Sequence, residues 1–286
     1  MATVLVLGST GRFRGIVPAL LAQGHAVRAA TRDSQGSVAN ELGDLGADVV
    51  AADLDDVASL RAAADSADAV FGAGTAHVAG PQGDVRHGVN LAEAAREAGV
   101  GHVVYVSVAG AGEPSDVPVF ESKRAVEARI REFELPATIV APVYLMENLW
   151  NPWNLPVLEA GRLPSPVPSG QALQQVALAD VVAFSVLALG RREELLGERL
   201  PIASDELTAR EAAAEIAQLL DAPIEVEEPV SPPPNPLFRW LAEVGDHVGV
   251  DEVRARFPEI GWHRFGDWAA TQDLGRLRAA AARARG

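Results

Sequence analysis

Cysteine is absent from the 286 residues, which removes disulfides, thiolate metal ligands and cysteine nucleophiles in one step. Aromatic residues make up only 5% of the chain and include just two tyrosines, Tyr105 and Tyr144, so a phenolic acid could come from few places. Lysine is scarcer still: Lys123 is the single one, and arginine serves at every other Lys or Arg position. Positive charge is in deficit overall, with 24 Lys and Arg against 39 Asp and Glu, a formal net charge of -15. A surface that negative repels phosphate arrays and argues against nucleic acid and anionic membranes as partners. Although 48% of residues are hydrophobic, no stretch approaches the roughly 18 uninterrupted apolar residues of a membrane span. The start of the chain enters a strand pattern with no basic segment or cleavage site before it, so no signal peptide is read and a cytoplasmic setting is expected. No metal-ligand cluster, internal repeat or Gly-x-Ser-x-Gly elbow is found. A chain of this length can bury one large core, or one core and a small lobe.

What is present is organised around residues 1 to 32. Val4 to Leu7 is a short apolar run that stops at Gly8, and Gly8, Gly11 and Gly15 then punctuate a turn before the apolar stretch Ile16 to Ala22. The pattern predicts strand, glycine loop, helix, strand. Glycines suit that turn because a chain without Cβ can bend tightly and let a pyrophosphate approach backbone N–H groups at a helix start. The same stretch holds Arg12, Arg14, Arg28 and Arg32 and no acidic residue. In so acidic a protein, that local excess implies a local anion.

The next strand, Val27 to Thr31, ends where dinucleotide-binding folds meet the adenosine ribose. An acidic side chain there accepts from a free 2′-OH, whereas an arginine accommodates a 2′-phosphate. Here Arg32 comes first and Asp33 second, which favours NADP(H) over NAD(H). A third strand ends at Asp53-Leu54, where a carboxylate could accept from the adenine amino group; Asp55 and Asp56 read as caps of the following helix. A fourth, Ala69 to Phe71, runs into the small-residue loop Gly72-Ala73-Gly74-Thr75-Ala76-His77, which suits close approach of a ligand. A helix over Asp84 to Ala98 and a fifth strand, His102 to Val108, follow. Strands alternating with helices at this rhythm imply an α/β fold with a doubly wound parallel sheet and its ligand outside the carboxyl ends of the strands.

Ser107 ends the fifth strand on that same edge. Phe120 to Glu134 reads as a helix whose buried stripe is Val126, Ile130 and Phe133, and Lys123 shares that inward side. A cation in a helix's first turn opposes the macrodipole, and an ammonium, unlike a guanidinium, is a compact charge that burial can tune. Lys123 is therefore a candidate for chemistry. The sixth strand, Ala137 to Val140, leads through Pro142 to Tyr144, and beyond it Trp150, Trp153 and the prolines to Pro168 read as an irregular lid. In the remaining third, Asp180 reads as the cap of a helix over Val181 to Leu189, and Thr208-Ala209-Arg210-Glu211 as a capping box.

GSTG at 8 to 11, NLAEAAREAGVGHVVYVSV at 90 to 108, FESKRAVE at 120 to 127 and APVYLMENL at 141 to 149 together resemble the NmrA-like family of atypical short-chain dehydrogenases/reductases, over roughly residues 3 to 220. The resemblance implies a Rossmann domain over 1–150, a smaller C-terminal α/β substrate lobe over 151–286 interleaved with it, and a lid over 150–170. It also implies NADP(H) binding, and either reduction of quinone-like or other carbonyl substrates or redox sensing without turnover. On it, Gly8, Thr10, Gly11, Arg12 and Phe13 fall on the phosphate loop, Arg32 on the 2′-phosphate reader, Asp53 on the adenine contact and Lys123 on the motif lysine. Asn148 falls in the family's methionine-glutamate-asparagine stretch. Two departures stand out. The third glycine arrives one residue late, at Gly15, and Pro18 just inside is tolerable only if the helix starts late; this predicts a longer phosphate loop and a displaced pyrophosphate grip. The tyrosine that the wider superfamily places four residues before its lysine is here Val119.

The candidate cofactor contacts are thus Gly8, Ser9, Thr10, Gly11, Arg12, Phe13, Arg14, Gly15, Arg32, Asp53, Leu54, Gly74, Thr75, Lys123, Pro142 and Tyr144. Candidate substrate contacts are His77, Asn148, Trp150 and Trp153. For the chemistry, Lys123 leads, with Tyr144 and Ser107 as reserve proton donors and no metal. The expected reaction is hydride delivery from NADPH to a quinone- or enone-like carbonyl by a monomer or homodimer. The alternatives are a non-catalytic NADP(H) sensor acting through a protein partner, and an isomerase or cyclase that uses the bound cofactor.

Overall fold

The computed structural model describes residues 2–285. They form two compact units, one of Met1–Pro142 with Val181–Pro201 and one of Val143–Asp180 with Ile202–Gly286.

The first unit is built from β1 (Thr3–Leu7), α1 (Ile16–Ala22), β2 (Ala26–Thr31), α2 (Ser37–Asp44), β3 (Asp48–Ala51), α3 (Val57–Ala64), β4 (Ala69–Ala73), α4 (Ala76–Glu97), β5 (His102–Val106), α5 (Pro118–Glu132) and β6 (Ala137–Pro142). These strands pair in parallel. Val4, Leu5 and Val6 are almost wholly buried, as a central parallel strand covered on both faces must be. From β1 the chain winds outward to β2 and β3, then crosses to β4 on the other side of β1, so the switch point of the topology lies between β1 and β4. The helical stripe Leu91, Ala94 and Ala95 packs with Val126 and Ile130 of α5 over Val103 and Tyr105 of β5.

Two boundaries differ from the expected ones. β4 runs on through Gly72 and Ala73, and His77 lies not in a loop but in the first turn of α4. That turn is separated from the rest of α4 by Gly80, at φ 68°, and Pro81. The sequence reading lost this turn because Gly80-Pro81 looks like the end of a loop.

After β6 the chain forms β7 (Tyr144–Leu145), α6 (Leu155–Glu159), β8 (Arg162–Pro164), β9 (Ala172–Val176), α7 (Leu178–Gly190), α8 (Arg192–Leu195) and β10 (Arg199–Ile202). The last of these adds to the large sheet beside β6, giving seven strands in the order β10-β6-β5-β4-β1-β2-β3. The remainder is β11 (Asp205–Thr208), α9 (Ala209–Leu220), β12 (Glu225–Glu227), α10 (Pro236–Glu243), α11 (Val250–Arg256), α12 (Phe265–Ala270) and α13 (Gly275–Arg285). The second unit holds the small sheets β11-β9-β7 and β12-β8 around a core of Met146, Leu158, Ile216, Phe265 and Trp268. The stretch expected to be an irregular lid contains α6 and β8, the latter paired with β12. Thr208 and Glu211 form the expected capping box at the start of α9. Asp180 caps nothing: it lies inside the first turn of α7, and its carboxylate takes the backbone N–H of His263 at 3.0 Å and lies 2.6 Å from that ring's Nδ1. No described helix is long and apolar enough to cross a membrane.

Candidate functional site

The loop between β1 and α1 is a chain of tight turns. Gly8 sits at φ 72°, in the left-handed region that favours glycine, and the N–H of Gly11 donates to Gly8 O at 2.9 Å. A Cβ on Gly11 would lie 3.1 Å from that same oxygen, so the second glycine is fixed by the first. Further turns join Arg14 to Gly11 O and Ile16 to Phe13 O. The helix begins only at Ile16, which leaves Pro18 in its first turn, where no internal N–H partner is required of it. The helix thus starts late enough to tolerate Pro18, after a loop that runs from Gly8 to Gly15. Ser9 is buried and its hydroxyl donates to Ala30 O at 2.8 Å, so it ties the loop to β2. Phe13 packs edge-on against Phe71, with centroids 6.2 Å apart.

A cleft of about 790 Å³ opens at the carboxyl ends of these strands. Gly8, Thr10, Gly11, Arg12 and Phe13 line it from the glycine loop, Arg32 and Asp33 from the end of β2, and Asp53, Leu54 and Asp55 from the end of β3. Gly74, Thr75, His77, Asp84 and His87 line it from β4 and α4, and Tyr105 from β5. Of the four arginines in the first 32 residues, Arg12 and Arg32 line the cleft. Arg14 and Gly15 are not among its lining residues. Arg28 serves the fold instead, donating to Ala63 O and Asp65 O at 2.6 and 2.7 Å. The local basic excess therefore divides between the cleft and the scaffold.

Asp53 accepts the N–H of Asp55 at 3.0 Å, and Asp56 caps α3 through the N–H of Ala58. The reading of Asp55 as a second cap is corrected: its carboxylate meets Arg86 Nε at 2.6 Å and lies 3.2 Å from His87 Nε2. The hydrogen bond from Arg86 holds its pKa below the ordinary carboxylate range. His87 Nδ1 in turn lies 2.8 Å from Thr75 Oγ1. His77 has its pKa pushed down by burial and by the charges of Arg12 and Lys123, against an opposing pull from Asp84.

Lys123 is buried on α5, and its ammonium lies 2.5 Å from Asp84 Oδ2. That carboxylate also accepts from Ser122 Oγ and, on its other oxygen, from the N–H of Thr75, both at 2.6 Å. A Cβ on Gly74 would fall 1.6 Å from Lys123 Nζ; the ammonium rests where a side chain would be. Burial lowers the Lys123 pKa, and Asp84 opposes the shift. Tyr105 is likewise buried and lines the cleft, and its hydroxyl has no hydrogen-bond partner among the described residues. Burial foremost, with Asp84 and Glu127, raises it well above the ordinary phenol value, so Tyr105 is a donor that keeps its proton.

Ser107 follows β5 directly and is buried. Its hydroxyl donates to Glu127 Oε1 at 2.5 Å, and Glu127 Oε2 accepts from Arg199 Nε at 3.0 Å. Arg199 also donates to Val108 O and Ala109 O. Glu127 lies one turn beyond Lys123 on the same face of α5. Asp84, His87 and Glu127 are not singled out by the sequence, and Tyr105 only as one of the two tyrosines. The signals that could have found them are slight: Tyr105 shares a strand face with Ser107, and Glu127 a helix face with Lys123.

Pro142 ends β6 and is not among the residues lining this cleft. In the second unit, Tyr144 pairs with Gln175 on β9 and lines a small cavity of about 40 Å³ with Met146, Asn154, Val167 and Phe265. Asn148 and Trp150 lie in a short 3-10 turn, Met146–Trp150. The Trp150 ring lies 6.1 Å from that of Trp268, and Trp153 is 69% exposed.

A doubly wound parallel sheet with a glycine loop beside its switch point defines a Rossmann-type α/β protein. The family model described as the NmrA-like family matches residues 1–230, and the chain belongs to that family. The photosystem II assembly factor Ycf39 of Trieres chinensis is 24% identical over 264 residues, spanning 88% of this chain and 81% of the relative. Among solved structures, NmrA, a negative transcriptional regulator, matches with a TM-score of 0.77 at 20% identity, covering 97% of each chain. The NADPH-dependent quinone oxidoreductase QOR2 of Escherichia coli, complexed with NADPH, matches with a TM-score of 0.76 at 19% identity, covering 94% of this chain and 98% of its own. The Citrobacter sp. triphenylmethane reductase, complexed with NADP(H), matches at 0.70 and 20% identity, covering 98% and 90%.

Proposed function

We propose that this chain binds NADP(H), in preference to NAD(H), along the cleft and acts as an oxidoreductase toward a quinone- or enone-like carbonyl, as a cytoplasmic monomer or homodimer. The observation that carries the reading is the distribution of charge in the cleft. In a molecule of formal net charge -15, Arg12, Arg32 and Arg86 line it together with Asp33, Asp53, Asp55 and Asp84; Arg86 pairs with Asp55, and Lys123, not itself a lining residue, pairs with Asp84 behind Gly74. The residues fit the cofactor. The Gly8–Gly11 turn leaves room for a pyrophosphate beside backbone, Arg32 offers a planar cation to a 2′-phosphate, and Asp53 and Leu54 suit an adenine. Gly74 and Thr75 allow close approach, and Lys123 offers an ammonium to ribose hydroxyls.

When bound, the cofactor supplies the hydride. The chain's part is to orient it, to exclude water and to deliver a proton, with Lys123 as the leading donor and Ser107 and Tyr144 in reserve. His77, Asn148, Trp150 and Trp153 are the proposed substrate contacts. A quinone or enone suits a site without the usual tyrosine, because its reduced anion is delocalised and needs less help from an acid. The reading is in keeping with two of the solved structures that the chain resembles, a quinone oxidoreductase and a triphenylmethane reductase. The test is NADPH absorbance with a panel of quinones, native protein against Lys123→Ala. Turnover by the native protein and its loss in the variant are expected; unchanged turnover would remove Lys123 from the mechanism.

A second reading, a dinucleotide sensor that acts through a protein partner without turnover, is favoured by one feature. Val119 stands where the proton-donating tyrosine would be, and the ammonium of Lys123 is already engaged by Asp84. It predicts tight NADPH binding with no oxidation by any acceptor.

A further inference from the structure

The pair formed by Lys123 and Asp84 belongs to no motif, yet it is among the most buried ion pairs of the chain, with side chains 5% and 1% exposed. Burying two charges is costly unless every remaining lone pair is satisfied. Asp84 fills three of its roughly four acceptor sites, with the Ser122 hydroxyl, the Thr75 N–H and the ammonium itself. Its location matters as much as its satisfaction. Arg32 ends β2 on one side of β1, whereas Gly74 follows β4 and Lys123 packs on it from the other side. In a doubly wound fold, a dinucleotide lies across that switch point with one nucleoside on each side. We propose that Asp84 is a positioning residue: its carboxylate pins the Lys123 ammonium onto the α-carbon of Gly74, so that the two N–H bonds left over are presented to the cis-diol of a ribose on the β4 side of the cleft. The inference rests on the reading that the cleft takes a dinucleotide, and it adds the residue that aims the lysine.

The titratable groups near the ammonium are few. Asp84 and His77, both from α4, interact with it; one step removed, Arg12 of the glycine loop acts on His77, and Glu127 of α5 acts with Asp84 on Tyr105 of β5. Of these, Asp84 alone touches the ammonium.

Because Lys123 is the only lysine, protein grown on 13C-lysine gives a single lysine spin system, whose Cε shift follows the charge of this one ammonium. Removing the adjacent carboxylate in Asp84→Asn should move the Lys123 titration midpoint down by about one pH unit or more. NADPH affinity measured by calorimetry should fall about tenfold, the loss expected when one charged hydrogen bond is misaligned. An unmoved midpoint, or an unchanged affinity in the variant, overturns the proposal. Should Asp84→Asn leave the lysine charge too costly to bury and fail to fold, Asp84→Asn with Lys123→Met removes both charges. That double variant should bind NADPH at least about tenfold more weakly than the native chain, and native affinity in it overturns the proposal. If the native protein itself ignores NADPH, the dinucleotide reading falls; if the native protein binds and the Asp84 variants bind equally well, only the role of Asp84 falls.

Discussion

Gly74 is conspicuous for what already occupies the place of its missing side chain. A methyl group there would meet the Lys123 ammonium nitrogen at 1.6 Å, and the ammonium cannot retreat without leaving Asp84. Gly74→Ala should therefore disengage a buried ion pair without touching either partner. The expected outcome is a drop in stability of about 3 kcal/mol in urea unfolding, the scale on which a buried pair is broken, together with weaker NADPH binding by calorimetry. A stability change below about 0.5 kcal/mol would mean that the lysine has another place to go. Arg199 offers a parallel case. It satisfies Glu127, which is 2% exposed and also holds the Ser107 hydroxyl. Arg199→Ala leaves that carboxylate the Ser107 hydroxyl and, for a cation, the more distant Arg131 at 3.7 Å, and should cost about 3 kcal/mol for the same reason. Because the penalty comes from a stranded negative charge, Glu127→Gln in the same background should recover part of it.

At the scale of elements, the best-read signals are those whose cause is local. The strand, glycine loop and helix of the first 30 residues, the Asp56 cap and the Thr208-x-x-Glu211 box all stand where the sequence puts them, because each is decided by residues within one turn of each other. Thr208→Ala removes the hydroxyl that accepts the Glu211 N–H and should destabilise the second unit by about 1 kcal/mol, read as a shift of the urea midpoint with an unchanged slope. What the sequence conceals is decided at long range. The Lys123 ammonium and its carboxylate are 39 positions apart, Ser107 and Glu127 are 20 apart, and Glu127 and Arg199 are 72 apart. Asp55 and Asp180 were misread as caps for the same reason. Each looks outward in a window of ten residues, but is claimed by Arg86 and His263 from elsewhere in the fold. The glycine loop and Arg32 were legible because they sit at strand ends, and Lys123 because it is the single lysine, although α5 starts at Pro118 and so places it in the second turn rather than the expected first; their partners were not, because helix faces carry no code for what packs on them.

Across the whole molecule, the two units should respond to acid in opposite ways. In the first unit, His102 is buried on β5 with Nε2 2.9 Å from Thr138 Oγ1, whose own proton goes to Leu195 O. The imidazole therefore donates and stays neutral, and burial with the nearby Arg192 lowers its pKa to about 4. The unfolded chain, with histidine near 6.5, binds the proton first. The contribution of His102 is thus intact above pH 6.5 and is lost as the pH falls to about 4, by up to about 3 kcal/mol. In the second unit, burial raises Asp246 from 3.8 to about 6, with His247 opposing. Here the folded state binds the proton first, so a cost present above pH 6 is relieved as the pH falls towards 4, also by up to about 3 kcal/mol. Calorimetric unfolding of native protein, His102→Asn and Asp246→Asn between pH 4 and 8 separates the two. His102→Asn should flatten the acid loss of the first unit, and Asp246→Asn should stabilise the second unit at pH 8 but not at pH 4. If both variants follow the native curve at every pH, the buried His102 and the half-buried Asp246 do not set the acid response, and the surface carboxylates of this highly negative chain do.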